Sequence, residues 1–254
     1  MLTIRQNEIV KYLEAKKHAK INDIAGHFYI SGATVRRELT ELERMGLVHR
    51  DHGGVAIADN AQDMSISIRQ ILNADSKLTI ARLAMGRMPD FSTVFIDNSS
   101  TAMVLAQRLN FKHKTVVTNG ITVAAQLAKE PETTVLLLGG RFNYHSASLI
   151  GYQAVKELEQ IQFHLTICSC TSINEKGAYE SSFEQRDIKR AALLNSRHRI
   201  LLADETKFND SAMYRTCGLA DFDVLYPNAP EELLSPLRAI PGVTIISSKV
   251  KNER

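Results

Sequence analysis

Two groups of side chains in this 254-residue chain are spaced for chemistry. The first lies near the N-terminus, where Ser31, Thr34, Arg36 and Arg37 crowd together and Arg50 and His52 come after a short gap. Hydroxyls and guanidiniums this close, with the small residues Gly32 and Ala33 between them, suit close approach to a nucleic acid. Arginine matches the paired acceptors of guanine, and a hydroxyl can bond a base edge or a phosphate. The second group is dispersed along the chain as Asp97-Asn98-Ser99-Ser100-Thr101, Thr118-Asn119-Gly120, Gly139-Gly140-Arg141, Ser169-Cys170-Thr171-Ser172 and Asp204-Glu205-Thr206-Lys207. Short polar runs that lead into helices leave backbone N–H groups open to an anion, and Lys77 and Lys207 add positive charge. Any one of these runs also reads as an ordinary helix cap. Their recurrence on one sheet edge is what points to a ligand pocket.

The first group needs a helix to carry it. Thr3 and Gln6 have the spacing of a capping box, and Ile9, Val10 and Leu13 behind them give one apolar face. Ile21, Ile24, Ala25 and Phe28 predict a second helix, interrupted by Tyr29-Ile30-Ser31-Gly32. Ser31 then caps a third, whose Val35, Leu39 and Leu42 lie on one side and which stops at Gly46. Two short helices joined by a tight turn make a helix-turn-helix, whose second helix meets the major groove with its N-terminal residues. Arg36 and Arg37 point about 100° apart, so one is expected on bases and the other on phosphate. Leu47-Val48 and Val55-Ala56 flank Gly53-Gly54 and predict a small hairpin, a wing from which Arg50 and His52 can touch the backbone of the duplex.

The second group needs a sheet. Residues 58–63 are polar and unpatterned, a plausible hinge, and Met64, Ile68, Ile71 and Leu72 then fall at helical spacing. That segment reads equally as a connecting helix or as one packed on the C-terminal domain. From Lys77 onward apolar runs alternate with helical patterns. Strands are expected at 93–96, 115–117, 134–138, 165–168, 199–203, 224–226 and 243–246, with helices between most of them, such as 102–109, 122–129 and 186–196. This alternation predicts a mainly parallel α/β domain, and ligands of such sheets bind outside the carboxyl ends of the strands. The organisation is therefore residues 1–57 as a winged helix-turn-helix, 58–76 as linker, and 77–254 as an α/β effector domain.

At this point the residues resemble a known family. Ile30 to Leu39, then Leu42-Glu43, Gly46-Leu47-Val48, Arg50 and Gly53-Gly54-Val55, look like the DeoR-type family of bacterial sugar-metabolism regulators, with Glu38 where the family usually has aspartate. The likeness continues through the second domain. Asp97 to Thr101 lies where the family has a D-x-G-[ST]-T loop, and Thr118-Asn119, Leu138-Gly139-Gly140 with Gly151, and Ala203 to Phe208 match its other signatures. The resemblance implies a sensor similar in fold to ribose-5-phosphate isomerase, with a sugar phosphate or similar effector that usually releases a repressor from its operator. Two departures stand out: Ser99 replaces the loop glycine, and residues 163–173 lack the acidic residue and glycines typical there.

Composition narrows the alternatives. The net charge of +3 is too mild to argue for nucleic acid by itself, and 44% apolar residues suffice for a sizeable core. No apolar run of membrane-spanning length occurs and the first residues do not read as a signal peptide, which predicts a cytoplasmic protein with no membrane partner. Cys168, Cys170 and Cys217 have neither disulfide nor zinc spacing and are expected to be buried free thiols, with no metal and no cofactor. A sugar-phosphate isomerase would need a base, for which Glu180 and Glu184 are candidates, yet both read more simply as solvated residues of a loop and a helix start, so no enzyme is expected. A C-terminal domain that only assembles subunits is the other alternative. The expected partners are double-stranded operator DNA, a sugar-phosphate-type effector, and further copies of the chain in a dimer or tetramer, because one helix-turn-helix reads few base pairs.

Overall fold

The computed structural model describes residues 3–51, 53–57, 66–210 and 212–248. The chain forms two compact units, Met1–Leu72 and Asn73–Arg254.

In the first unit, α1 (Ile4–Lys16) opens with the Thr3–Gln6 capping box, both halves of which are made. A two-residue strand, β1 (His18–Ala19), leads into α2 (Ile21–Phe28), where Tyr29 takes a left-handed conformation with φ 54° and ends the helix. Ser31 caps α3 (Gly32–Arg44) by accepting the Thr34 amide. Ile9, Val10 and Leu13 of α1 pack with Ile24 of α2 and with Val35, Leu39 and Leu42 of α3 in one core. The third helix ends in a Schellman turn: Gly46, at φ 72°, bonds the Glu43 carbonyl and Leu47 bonds that of Leu42. The wing is formed by β2 (Val48–Arg50) paired antiparallel with β3 (Val55–Ile57). The third strand of that sheet is β1, paired with β3. A two-residue strand has no periodicity to betray it. Gly54 is required by this pairing, since a Cβ there would lie 2.4 Å from the Ala19 carbonyl oxygen.

Residues 58–63, the expected hinge, and Met64 lie outside the described residues. The helical spacing that continues to Leu72 does not make one connecting helix. A single turn, α4 (Ile66–Arg69), is followed by turns, and Asn73 in the left-handed region at φ 53° starts a new helix, α5 (Ala74–Met85).

The second unit is built on seven parallel strands: β4 (Thr93–Ile96), β5 (Thr115–Thr118), β6 (Thr134–Leu137), β9 (Phe163–Ser169), β12 (Ser196–Asp204), β14 (Val224–Asn228) and β15 (Thr244–Ile245). Their order is β15-β14-β12-β9-β4-β5-β6. Each of the seven strands expected from the sequence is present in it. On one face α5, α6 (Ser100–Ala106) and α7 (Ile121–Leu127) cover Val94, Ile96, Val116, Leu165, Ile167 and Leu202. On the other, α8 (Tyr152–Leu158) and α9 (Phe183–Leu194) cover Phe95, Val117, Leu138 and Phe163. The inner strands are apolar on both faces because helices cover both. A further cluster joins Cys168 and Cys170 to Leu201, Phe222, Leu225 and Leu237, the last from α10 (Glu231–Arg238). All three cysteines are free, Cys217 being only partly buried, and burial pushes the Cys170 thiol up to about 12.

Two antiparallel additions stand where no strand is expected. One is a hairpin of β7 (Arg141–Asn143) and β8 (Ser148–Ile150); the other is a sheet of β10 (Ser172–Asn174), β11 (Gly177–Glu180) and β13 (Tyr214–Cys217). The second corrects the reading of Glu180. It is a 5% exposed residue closing β11, not a solvated one on a loop. Its carboxylate meets Lys189 of α9, whose ammonium also lies 3.0 Å from Asp97 Oδ2 and donates to the Ser169 carbonyl at 2.7 Å. Burial opposes the charge on Lys189, but Glu180 and Asp97 outweigh it and hold the ammonium above its ordinary pKa. One lysine thus clamps the ends of β4, β9 and β11. Lys189→Met leaves two carboxylates buried without a cation and is expected to cost about 3–5 kcal/mol. Urea denaturation of the second unit would measure this, and adding Glu180→Gln should recover part of the loss.

Candidate functional site

The exposed surface of α3 carries the first candidate residues. Arg36 and Arg37 are both solvent-facing, and Arg37 has 75% of its side chain exposed. Ser31 Oγ, besides capping, lies 2.9 Å from Thr34 Oγ1, so the two hydroxyls are held together at the helix start. Glu38 is mostly buried: Oε2 accepts the Gln6 side-chain amide at 3.0 Å, while Oε1 lies 3.5 Å from Arg37 Nη2 and 3.7 Å from Arg5 Nη1. Arg50 is committed inward. Its Nη2 donates to the Arg36 carbonyl at 3.0 Å and to Thr40 Oγ1 at 2.7 Å, and its Nε lies 3.4 Å from the Glu43 carboxylate. It therefore fastens the wing to α3. The wing turn is closed by Asp51, whose Oδ1 accepts the amides of Gly53 and Gly54, both at 2.7 Å. These bonds, with His18, hold the Asp51 carboxyl below its usual range. His52 lies outside the described residues. Tyr29, in the turn before α3, is 95% exposed and is not among the residues expected to bind. The signal for it in the sequence is an aromatic placed where the apolar spacing of α2 breaks.

The carboxyl ends of the parallel strands carry the second set. Asp97, at the end of β4, is fully buried and spent: Oδ1 accepts the Ser99 amide and hydroxyl at 3.0 and 2.6 Å, while Oδ2 accepts the Ser169 amide at 3.1 Å and faces Lys189. Ser99 stands at φ −71°, ψ 147°, where any residue fits, and its hydroxyl caps Ala102. The glycine expected from the family is therefore not needed for the backbone here. The amides of Ser100 and Thr101 have no acceptor among the described residues. Asn98 Nδ2 donates to the Ser146 carbonyl, and Thr118 Oγ1 accepts the Gly120 amide.

Next along the edge, Gly139 gives its amide to Glu157 at 2.8 Å and Arg141 is ion-paired with Glu184. Gly140 is held at φ 126° against Ile150, whose carbonyl oxygen would lie 2.6 Å from a Cβ. Lys77 is buried and has a partner, whereas half-buried Lys207, in the short 3-10 turn after β12, has no carboxylate at ion-pair distance among the described residues.

Four buried polar atoms at this edge have no partner: Asn119 Oδ1, Ser169 Oγ, Gln185 Oε1 and Asp204 Oδ2. They belong to the ends of β5, β9 and β12 and to the first turn of α9. Asp204 uses its other oxygen on Thr206, and Gln185 gives its amide to Ser148 at 2.9 Å, so each side chain is fixed while one atom stays open. A buried polar atom left unbonded costs about 1–3 kcal/mol, and several of them along one edge of the sheet are what a polar ligand there would satisfy. Neither Gln185 nor Lys189 is among the residues expected here. Both interrupt an otherwise apolar face of α9 with Ile188 and Ala192, which is the signal that could have found them. Among the described residues no His, Cys, Asp and Glu cluster is arranged to hold a metal, and no helix is long and apolar enough to cross a membrane.

Comparisons with known proteins divide the chain in the same way. Residues 5–61 match the DeoR-like helix-turn-helix domain and residues 72–228 the DeoR C terminal sensor domain. The glycerol-3-phosphate regulon repressor of Escherichia coli (strain K12) is 29% identical over 230 residues, covering 90% of this chain and 91% of its own. The transcriptional repressor AccR of Agrobacterium fabrum is 30% identical over 225 residues, 87% of each chain. Among solved structures, a ribose 5-phosphate isomerase A from Methanocaldococcus jannaschii overlaps 54% of this chain and 55% of its own at 13% identity and a TM-score of 0.40. With both domains matched in order and full-length relatives aligned along most of its residues, the chain belongs to the DeoR family of transcriptional regulators.

Proposed function

We propose that the protein is a DNA-binding repressor of a carbohydrate-metabolism operon, released from its operator by a phosphorylated sugar. The observation that carries the sensor half is the set of unpartnered buried atoms at the strand ends. Three of the four, Asn119 Oδ1, Gln185 Oε1 and Asp204 Oδ2, can only accept hydrogen bonds, and the hydroxyls of a sugar supply the donors. The phosphate is assigned to the open amides of Ser100 and Thr101 and to Lys207. Asp97, Asn98, Ser99, Thr118, Gly139, Gly140 and Arg141 then act as the frame, since their polar groups are engaged with neighbours or their backbone shape is fixed. Glu180 and Glu184 are ion-paired, so neither supplies the free base that an isomerase reading requires.

For the DNA half, Thr34, Arg36 and Arg37 form the reading surface, with Ser31 fixing its start. Arg50 supports the surface from behind. The protein acts as a homo-oligomer in the cytoplasm, because paired half-sites give a single helix-turn-helix its specificity.

Two outcomes test this reading. On operator DNA at fixed salt, Arg36→Ala or Arg37→Ala is expected to cost about 1–3 kcal/mol, as measured by fluorescence anisotropy. The base-reading arginine should relax sequence preference, and the other should weaken all sequences alike; normal binding by both variants sinks the placement of α3. For the sensor, Lys207→Ala should leave operator affinity intact in the absence of sugar phosphate while raising the concentration needed for release roughly 10- to 100-fold. Release at unchanged concentration would remove Lys207 from the site.

A further inference from the structure

The opposite edge of the parallel sheet holds a cavity that the regulatory reading does not use. It encloses about 480 Å³, within the roughly 300–1,000 Å³ range of small-molecule sites. The last turn of α9 supplies Arg190 and Leu193, the beginning of β12 supplies Arg199, and the end of β13 and the turn after it supply Arg215, Cys217 and Asp221. Arg199 stands five residues before Asp204 in β12, so about 16 Å of strand at ~3.3 Å per residue separates the cavity from the sugar-phosphate edge.

The charges here do not cancel. Arg199 is fixed through Nε to the Leu193 carbonyl at 3.0 Å and through Nη1 to the Asp221 carbonyl at 3.2 Å. Those are neutral acceptors and leave its charge in place. The guanidiniums of Arg190 and Arg215 have neither a hydrogen bond nor an ion pair among the described residues. Asp221 is the single carboxylate of the lining, and its Oδ2 already accepts the Gly218 amide at 2.7 Å. Three arginines therefore border one cavity against one carboxylate, a lining of net positive charge that favours an anion. Between them Cys217 and Leu193 offer an uncharged wall. Burial, and then Asp221, push the Cys217 thiol up to about 12, so it stays protonated at neutral pH.

We propose that this cavity is a second anion site, built for a compact metabolite with at least two phosphate or carboxylate charges. Guanidinium forks match both groups in bidentate fashion, and the neutral wall accommodates the carbon skeleton. The site does not depend on the sugar-phosphate assignment, since it shares no residue with it.

Inorganic pyrophosphate is the probe, titrated calorimetrically at fixed ionic strength into the full-length protein and its variants. Pyrophosphate can also enter the strand-end site, so Lys207→Ala serves as the background in which that site is weakened, and loss on removing Arg190 and Arg215 reads the second cavity. In that background saturable binding is expected. Adding Arg190→Ala with Arg215→Ala, both at exposed positions, should weaken it by at least about tenfold, while circular dichroism and operator affinity stay unchanged. No saturable binding to Lys207→Ala, or binding that survives loss of both arginines, overturns the proposal. Failure of sugar phosphate to release operator DNA would instead count against the regulatory reading and leave this one standing.

Discussion

A single buried ammonium sets the geometry of the sensor unit. Lys189 spends its donors on Asp97, Ser169 and Glu180, and through them fixes where β4, β9 and β11 stop. Each of these stops begins a segment of the strand-end rim: Asp97 orients Ser99, which caps α6, and Glu180 accepts the Thr171 hydroxyl at 3.1 Å. Two carboxylates around one lysine leave the interior beneath the rim with a negative excess. The lysine is thus no receptor for a phosphate, because its protons are taken and its surroundings repel anions. Positive potential at the rim has to come from elsewhere, from open backbone amides and from Lys207.

The same division of labour runs through both units. Some charged side chains are internal struts: Arg50 ties wing to α3, Asp51 closes the wing turn, Glu38 holds α1 through Gln6, and Arg141 pairs with Glu184. Others stand open, among them Arg36, Lys207, Arg190 and Arg215, while Arg37 is largely exposed with only a 3.5 Å contact to Glu38. Strut and reader are chemically identical residues. Arg36 and Arg50 differ only in that the guanidinium of Arg50 reaches a carbonyl and a hydroxyl on α3, whereas that of Arg36 faces solvent.

That difference marks the limit of what is legible in the chain. The seven parallel strands can be read because each is an apolar run closed by polar residues, and most are separated from the next by a helical pattern. The helix-turn-helix can be read because caps and apolar spacing are local signals, seen at Thr3, Ser31 and Gly46. The strand β1 and the antiparallel pieces β7, β8, β10, β11 and β13 are not legible. They are two to four residues long, too short to show a period: β7–β8 and β10–β11 are local hairpins, while β1 and β13 exist only through partners distant in sequence, as in the pairing of Ala178 with Cys217. Glu180 reads wrongly as solvated for the same reason: its burial depends on Lys189, a residue that arrives after a turn and half a helix. The roles of Asp97 and Arg141 are blurred likewise, since a polar loop residue looks the same whether its carboxylate or guanidinium is free or already bonded.

The unpartnered atoms at the rim constrain the chemistry of the effector from two directions. A simple anion could meet the amides of Ser100 and Thr101 and the charge of Lys207. It would leave Asn119 Oδ1, Gln185 Oε1 and Asp204 Oδ2 buried against another acceptor, at about 1–3 kcal/mol for each. A neutral polyol would satisfy those three oxygens but leave the amides and the ammonium without an anion. Asp204 Oδ2, an acceptor with no partner, calls for a hydroxyl donor opposite it. Ligands that carry donors at one end and negative charge at the other meet both demands together. On this reading, discrimination between a phosphorylated sugar and its unphosphorylated parent lies mainly with Lys207 and the start of α6, and discrimination among sugars with Asn119, Gln185 and Asp204.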